Sequence, residues 1–199
     1  MIGRTIDELA VGQTAELTRA ISAETIREFV DATGDDNPLH SDPEFAATTR
    51  FGRVIAPGIL TGGLVSAVIG TRLPGPGAVY ISQSFRFLRP VEVGDAITAR
   101  VEVTEILRER NRVCLKTVCQ NQRGEGVIEG EAWIMPSRVH IEYAEPERAG
   151  QGWAAAACAP TTLAVQAMSL WAAGGLALAS QMLRLWDPRA RRHGSALRS

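Results

Sequence analysis

GILTGGLVSAVIGTRL (58–73) carries no charge before Arg72. A run apolar on every side reads as a buried helix. Its 16 residues fall short of the roughly 20 that span a membrane comfortably. The chain then changes period. After the turn PGPG (74–77), four segments alternate apolar and polar residues: VYISQSFRFL (79–88), DAITARVEVTEIL (95–107), RVCLKTVCQNQ (112–122) and GVIEGEAWIMP (126–136). Alternation of this kind marks antiparallel strands with one buried face. Their separators, RPVEVGD, RERN and RGEG, carry turn chemistry. One buried helix followed by long strands predicts an α+β fold in which the sheet wraps the helix.

Upstream, GQTAELTRA (12–20) reads as a first strand. Ser22 offers an N-cap for a helix through Ile26, Phe29 and Val30, which Gly34 ends. DDNPLHSDP (35–43) is loop-like, and a short helix is expected after Asp42 with Pro43 at its first position. The 199 residues fit one domain, or one domain plus an appendage. A net charge of −1 gives no case for nucleic-acid binding. Cys114 and Cys119 are five positions apart in a strand-like run, so they face opposite ways and are not expected to pair. No cysteine–histidine spacing points to zinc. The N-terminus lacks a signal-peptide pattern, and a reduced, cytoplasmic setting is expected.

Chemistry concentrates in GDDNPLH (34–40). Asp35 and His40 place a carboxylate and an imidazole in one stiff loop. Histidine both takes and gives protons near neutrality, and the carboxylate can hold a water. That pairing suits adding water across a polarised double bond. On spacing alone, the same residues also fit an Asx-rich helix terminus with an exposed histidine. His140, in a polar stretch, and His193, in the basic tail, are weaker candidates. Ala56-Pro57-Gly58 opens the apolar helix, whose unpaired first N–H groups can polarise a carbonyl. Simple capping accounts for that segment equally well. Ser66 lies eight residues past Gly58, where bonding to its own backbone is the simpler reading.

The motif FVDATGDDNPLHSDPEFA (29–46), extended by FGRVIAPGIL (51–60) and SFRFLRPVEVGD (84–95), resembles the MaoC-like, hydratase-2 family of (R)-specific enoyl-CoA hydratases. The resemblance covers residues 8–136. It implies a hotdog fold, with an antiparallel sheet around a long helix, and a homodimer. It also implies an acyl-CoA thioester substrate and no cofactor. In that family an aspartate and a histidine, here Asp35 and His40, activate the water that adds at C3 of a trans-2-enoyl thioester. Gly58 corresponds to the glycine whose N–H binds the thioester carbonyl, and Ser66 to a serine supporting the aspartate. Asn37 matches the motif asparagine and is expected to organise the loop. Pro57 departs from the family, which often has histidine there. Two other functions fit the same resemblance. One is dehydration of 3-hydroxyacyl groups on a carrier protein. The other is a non-catalytic hotdog that binds acyl thioesters or granules.

The expected organisation is a hotdog domain over 1–136, a polar linker over 137–152 and an Ala/Leu-rich helical tail over 153–199. Trp153, Trp171 and Trp186, with arginines near the end, make the tail a candidate for granule or membrane-surface contact. A helix docked on the domain or at a subunit interface is the alternative.

Overall fold

The computed structural model describes residues 1–144; the tail expected over 153–199, with its surface contact, lies outside the described residues. The elements run β1 (Ile2–Gly3), β2 (Thr14–Ala20), α1 (Ala23–Thr33), α2 (Pro43–Thr48), α3 (Gly58–Thr71), β3 (Val79–Phe87), β4 (Ala96–Leu107), β5 (Arg112–Gln120), β6 (Gly126–Met135) and β7 (Ile141–Glu142). β2–β6 form one sheet in the order β2-β4-β5-β6-β3, every pair antiparallel. α3 lies against β2, β3, β4 and β5. This is the α+β arrangement anticipated from the apolar run and the period-two segments, and it is the hotdog fold that the resemblance implies.

Local chemistry sets the element ends. The Ser22 hydroxyl accepts from the Thr25 N–H at 3.0 Å and starts α1. Gly34 stops it in the left-handed region, at φ 72°. The Asp42 carboxylate accepts from the Glu44 and Phe45 N–H groups at 2.9 and 3.1 Å, starting α2. On β4 the alternation is strict: Ile97, Ala99, Val101 and Val103 are fully buried. They pack with Val65, Val68 and Ile69 of α3, Leu115 of β5 and Ile134 of β6. Removing this apolar area from water is the main force holding helix to sheet. Cys119 joins the core, where burial pushes its thiol up to about 12 and keeps it neutral.

Two findings differ from the sequence reading. α3 is not buried all round. Ile59 is 60% exposed, and Gly63, Ser66 and Gly70 are exposed with it. A single sheet covers only one side of a helical cylinder. Second, the segment after residue 136 does not leave the domain at once. β7 pairs with β1, Ile2 opposite Glu142 and Gly3 opposite Ile141, and the Met1 amino group donates to the Tyr143 carbonyl at 2.6 Å. No apolar periodicity marks two residues, so this pairing was invisible in the sequence.

Two glycines of α3 let β3 approach. A Cβ on Gly58 would meet the Phe87 ring at 2.8 Å, and one on Gly62 would meet Phe85 at 2.8 Å. One helical turn apart, they form a smooth strip for two aromatic rings. The β3–β6 contact is tighter still, because a Cβ on Gly130 would sit 1.9 Å from the Ser84 carbonyl oxygen. Backbone cannot swing aside as a ring can. Gly130→Ala is therefore expected to cost about 3 kcal/mol, in the upper range for single substitutions. Chemical denaturation measures it, and a loss within about 0.5 kcal/mol, typical of surface changes, would contradict the packing described.

Candidate active site

The loop between α1 and α2 is built from its own polar atoms. The Asn37 side chain accepts from the Leu39 N–H at 3.1 Å and caps a short 3-10 turn, Pro38–His40. The His40 N–H donates to the Asn37 carbonyl at 2.9 Å. Asn37 thus organises the loop and makes no other side-chain hydrogen bond among the described residues.

His40 is then fixed from the other side. Its Nδ1 lies 2.7 Å from the Ile55 carbonyl oxygen. A carbonyl only accepts, so Nδ1 carries the proton and donates, and in the neutral ring Nε2 keeps its lone pair. Nε2 faces Asp35, with Oδ2 at 3.9 Å. That is too far for a direct hydrogen bond. A water bonded to both groups would sit to one side of the line joining them. The His40 side chain is 9% exposed and the Asp35 side chain 43%, so the imidazole is sheltered and the carboxylate stands at the rim.

The carbonyl that orients His40 also belongs to the lead into α3. The Ile55 N–H donates to the Leu39 carbonyl at 3.3 Å, and the Ala56 N–H to the Val91 carbonyl at 2.8 Å. Asp95 secures the latter loop by accepting from the Glu92 N–H at 2.9 Å and from Gln122 at 2.8 Å. Pro57 precedes the helix with no side-chain cap, so the Gly58 N–H is one of the unpaired donors of a helix start. Gly58 and His40 both line a cavity of about 250 Å³, with Ile55, Thr61, Phe87 and Ile128 among its walls. The cavity is largely apolar with a few inward polar groups, the usual make-up of a small-molecule site.

The structure therefore brings together Asp35, His40 and, through Ile55, the Gly58 helix start. It puts Ser66 elsewhere. Ser66 sits on the exposed side of α3, beside Tyr80 of β3; burial raises the Tyr80 phenol above its ordinary value, and the Ser66 hydroxyl opposes that shift. Most of the cavity lining escaped the sequence reading, Phe87, Ile128 and Thr61 among it. Phe87 and Ile128 looked like ordinary strand positions. Thr61 carried a signal, a hydroxyl in an apolar run three residues after Gly58.

The MaoC-like domain family matches residues 8–123. The chain belongs to this MaoC-like family. The matched span holds Asp35, Asn37, His40, Gly58 and Ser66. The MaoC-like chain is 48% identical to a 3-hydroxybutyryl-CoA dehydratase of Methylorubrum extorquens over 128 residues, 64% of this chain and 81% of that protein. It is 45% identical to an (R)-specific enoyl-CoA hydratase of Rhodospirillum rubrum over 133 residues, 66% of this chain and 92% of the relative. The solved R-hydratase of Pseudomonas aeruginosa, unliganded, superposes with a TM-score of 0.67 at 43% identity, covering 76% of this chain and 98% of that one.

Proposed function

We propose that this MaoC-like protein is an (R)-specific enoyl-CoA hydratase, a hydro-lyase adding water to trans-2-enoyl-CoA to give (R)-3-hydroxyacyl-CoA. The observation that carries the reading is the pair His40 Nε2 and Asp35 Oδ2, 3.9 Å apart. His40 also lines a cavity that reaches the uncapped start of α3.

The chemistry follows from those positions. A water bridging the two groups from the side is held by the Asp35 carboxylate. Its proton goes to the His40 Nε2 lone pair as its oxygen bonds to C3 of the enoyl group. Electron density moves from the C2–C3 double bond onto the thioester oxygen, where the Gly58 N–H and the helix start stabilise it. His40 then gives its proton to C2. The ring ends neutral, and one water has been added with all atoms balanced. The same steps in reverse dehydrate a 3-hydroxyacyl thioester.

A homodimer is part of the proposal. β3 is a sheet edge with Val79, Ile81 and Phe87 exposed at 52, 41 and 50%, and Ile59 of α3 is 60% exposed. An apolar sheet edge invites pairing with another chain. A second copy would cover both the edge and the open side of α3.

Two outcomes test these points. Asp35→Asn and His40→Ala are each expected to lower kcat for crotonyl-CoA hydration about 100-fold or more, the range for loss of a general acid–base. Near-normal turnover by either folded variant would refute the assignment. Light scattering is expected to give about twice the 21.4 kDa chain mass, and a monomer would refute the dimer.

A further inference from the structure

We infer that the Thr61 hydroxyl is a second hydrogen-bond donor to the thioester oxygen of the substrate, beside the Gly58 N–H. The inference rests on the hydratase reading above and deepens it by naming a binding group.

Thr61 is 1% exposed, and its Oγ1 has no hydrogen-bond partner. Gln83 Oε1 is the other such atom among the described residues, but its amide nitrogen is anchored on Thr117 and on two carbonyls. Helical threonines ordinarily bond the carbonyl one turn back. Thr33 does so to Phe29 at 2.7 Å, and Thr71 to Ala67 at 2.6 Å. Thr61 does not.

An unpaired buried hydroxyl is unfavourable unless a bound group accepts from it. Thr61 lines the same cavity as His40 and Gly58. Three residues apart, Gly58 and Thr61 share one helix face. Helical side chains tilt toward the N-terminus, so the hydroxyl leans over the turn that begins at Gly58. A donor so placed would act beside the Gly58 N–H at the start of α3, where the reaction builds charge on a thioester oxygen. The hydroxyl donates a hydrogen bond there and transfers no proton.

The test compares Thr61→Val, Thr61→Ala and Thr61→Ser with wild type in steady-state crotonyl-CoA hydration and thermal unfolding. Both variants lacking the hydroxyl are expected to lose about 100-fold in kcat, the lower end for removing one oxyanion donor. KM should change far less, and Thr61→Ser should keep most of the wild-type kcat. Thr61→Val should not lower Tm, because it removes an unpaired buried hydroxyl at constant shape. Wild-type kcat in Thr61→Val or Thr61→Ala overturns the inference. Equal loss in Thr61→Ser and Thr61→Val also overturns it, since packing would then be the cause. Failure of the wild type itself to hydrate crotonyl-CoA overturns the hydratase reading, and this inference with it.

Discussion

The His40 Nδ1–H···O=C hydrogen bond to Ile55, 2.7 Å long, joins two pieces of chain that each hold half of the site. On one side is the loop that Gly34 and Asn37 shape after α1. On the other is the segment delivering Gly58 to the start of α3. The bond does chemical work as well, because fixing the proton on Nδ1 leaves the Nε2 lone pair facing Asp35. A histidine whose second nitrogen is tied to a carbonyl cannot rotate without losing that bond. The tautomer and the ring orientation are thereby set together.

α3 is the other half of the constraint. One side of it makes the core with β4 and β5, and its glycine strip accepts Phe85 and Phe87 of β3. The end of that strip is also the end of the cavity. Gly58 bears on packing and, in the proposed reaction, on chemistry: an absent Cβ admits the Phe87 ring, and the same bare backbone would let a ligand reach the N–H. Substituting it would move a cavity wall and crowd the carbonyl site in one stroke. The opposite side of α3 stays open in the single chain, and the apolar edge at β3 continues that surface.

Much of this was legible in the sequence because it depends on short-range pattern. Period-two alternation gave β3–β6 to within one or two residues, and Ser22, Gly34 and Asp42 marked helix ends by their capping chemistry. The motif around Asp35 and His40 was legible as a constellation. Its geometry was not, since the Ile55 carbonyl that orients His40 lies 15 residues downstream. Long-range contacts of that kind leave no local signature. The same holds for the β1–β7 pairing and for the covering of α3: hydropathy says a helix is apolar, not how many neighbours it has. Ser66 illustrates the limit from the other direction. The family resemblance links it to the aspartate, whereas within one chain it lies beside Tyr80 on the uncovered face.

The central claim is that this site adds water to an enoyl thioester with a defined handedness. The most direct measurement is to incubate crotonyl-CoA with the full-length protein and determine the product and its configuration at C3 by chiral chromatography. The account predicts (R)-3-hydroxybutyryl-CoA with the thioester intact. Release of free CoA by hydrolysis, or formation of the (S) product, would contradict it.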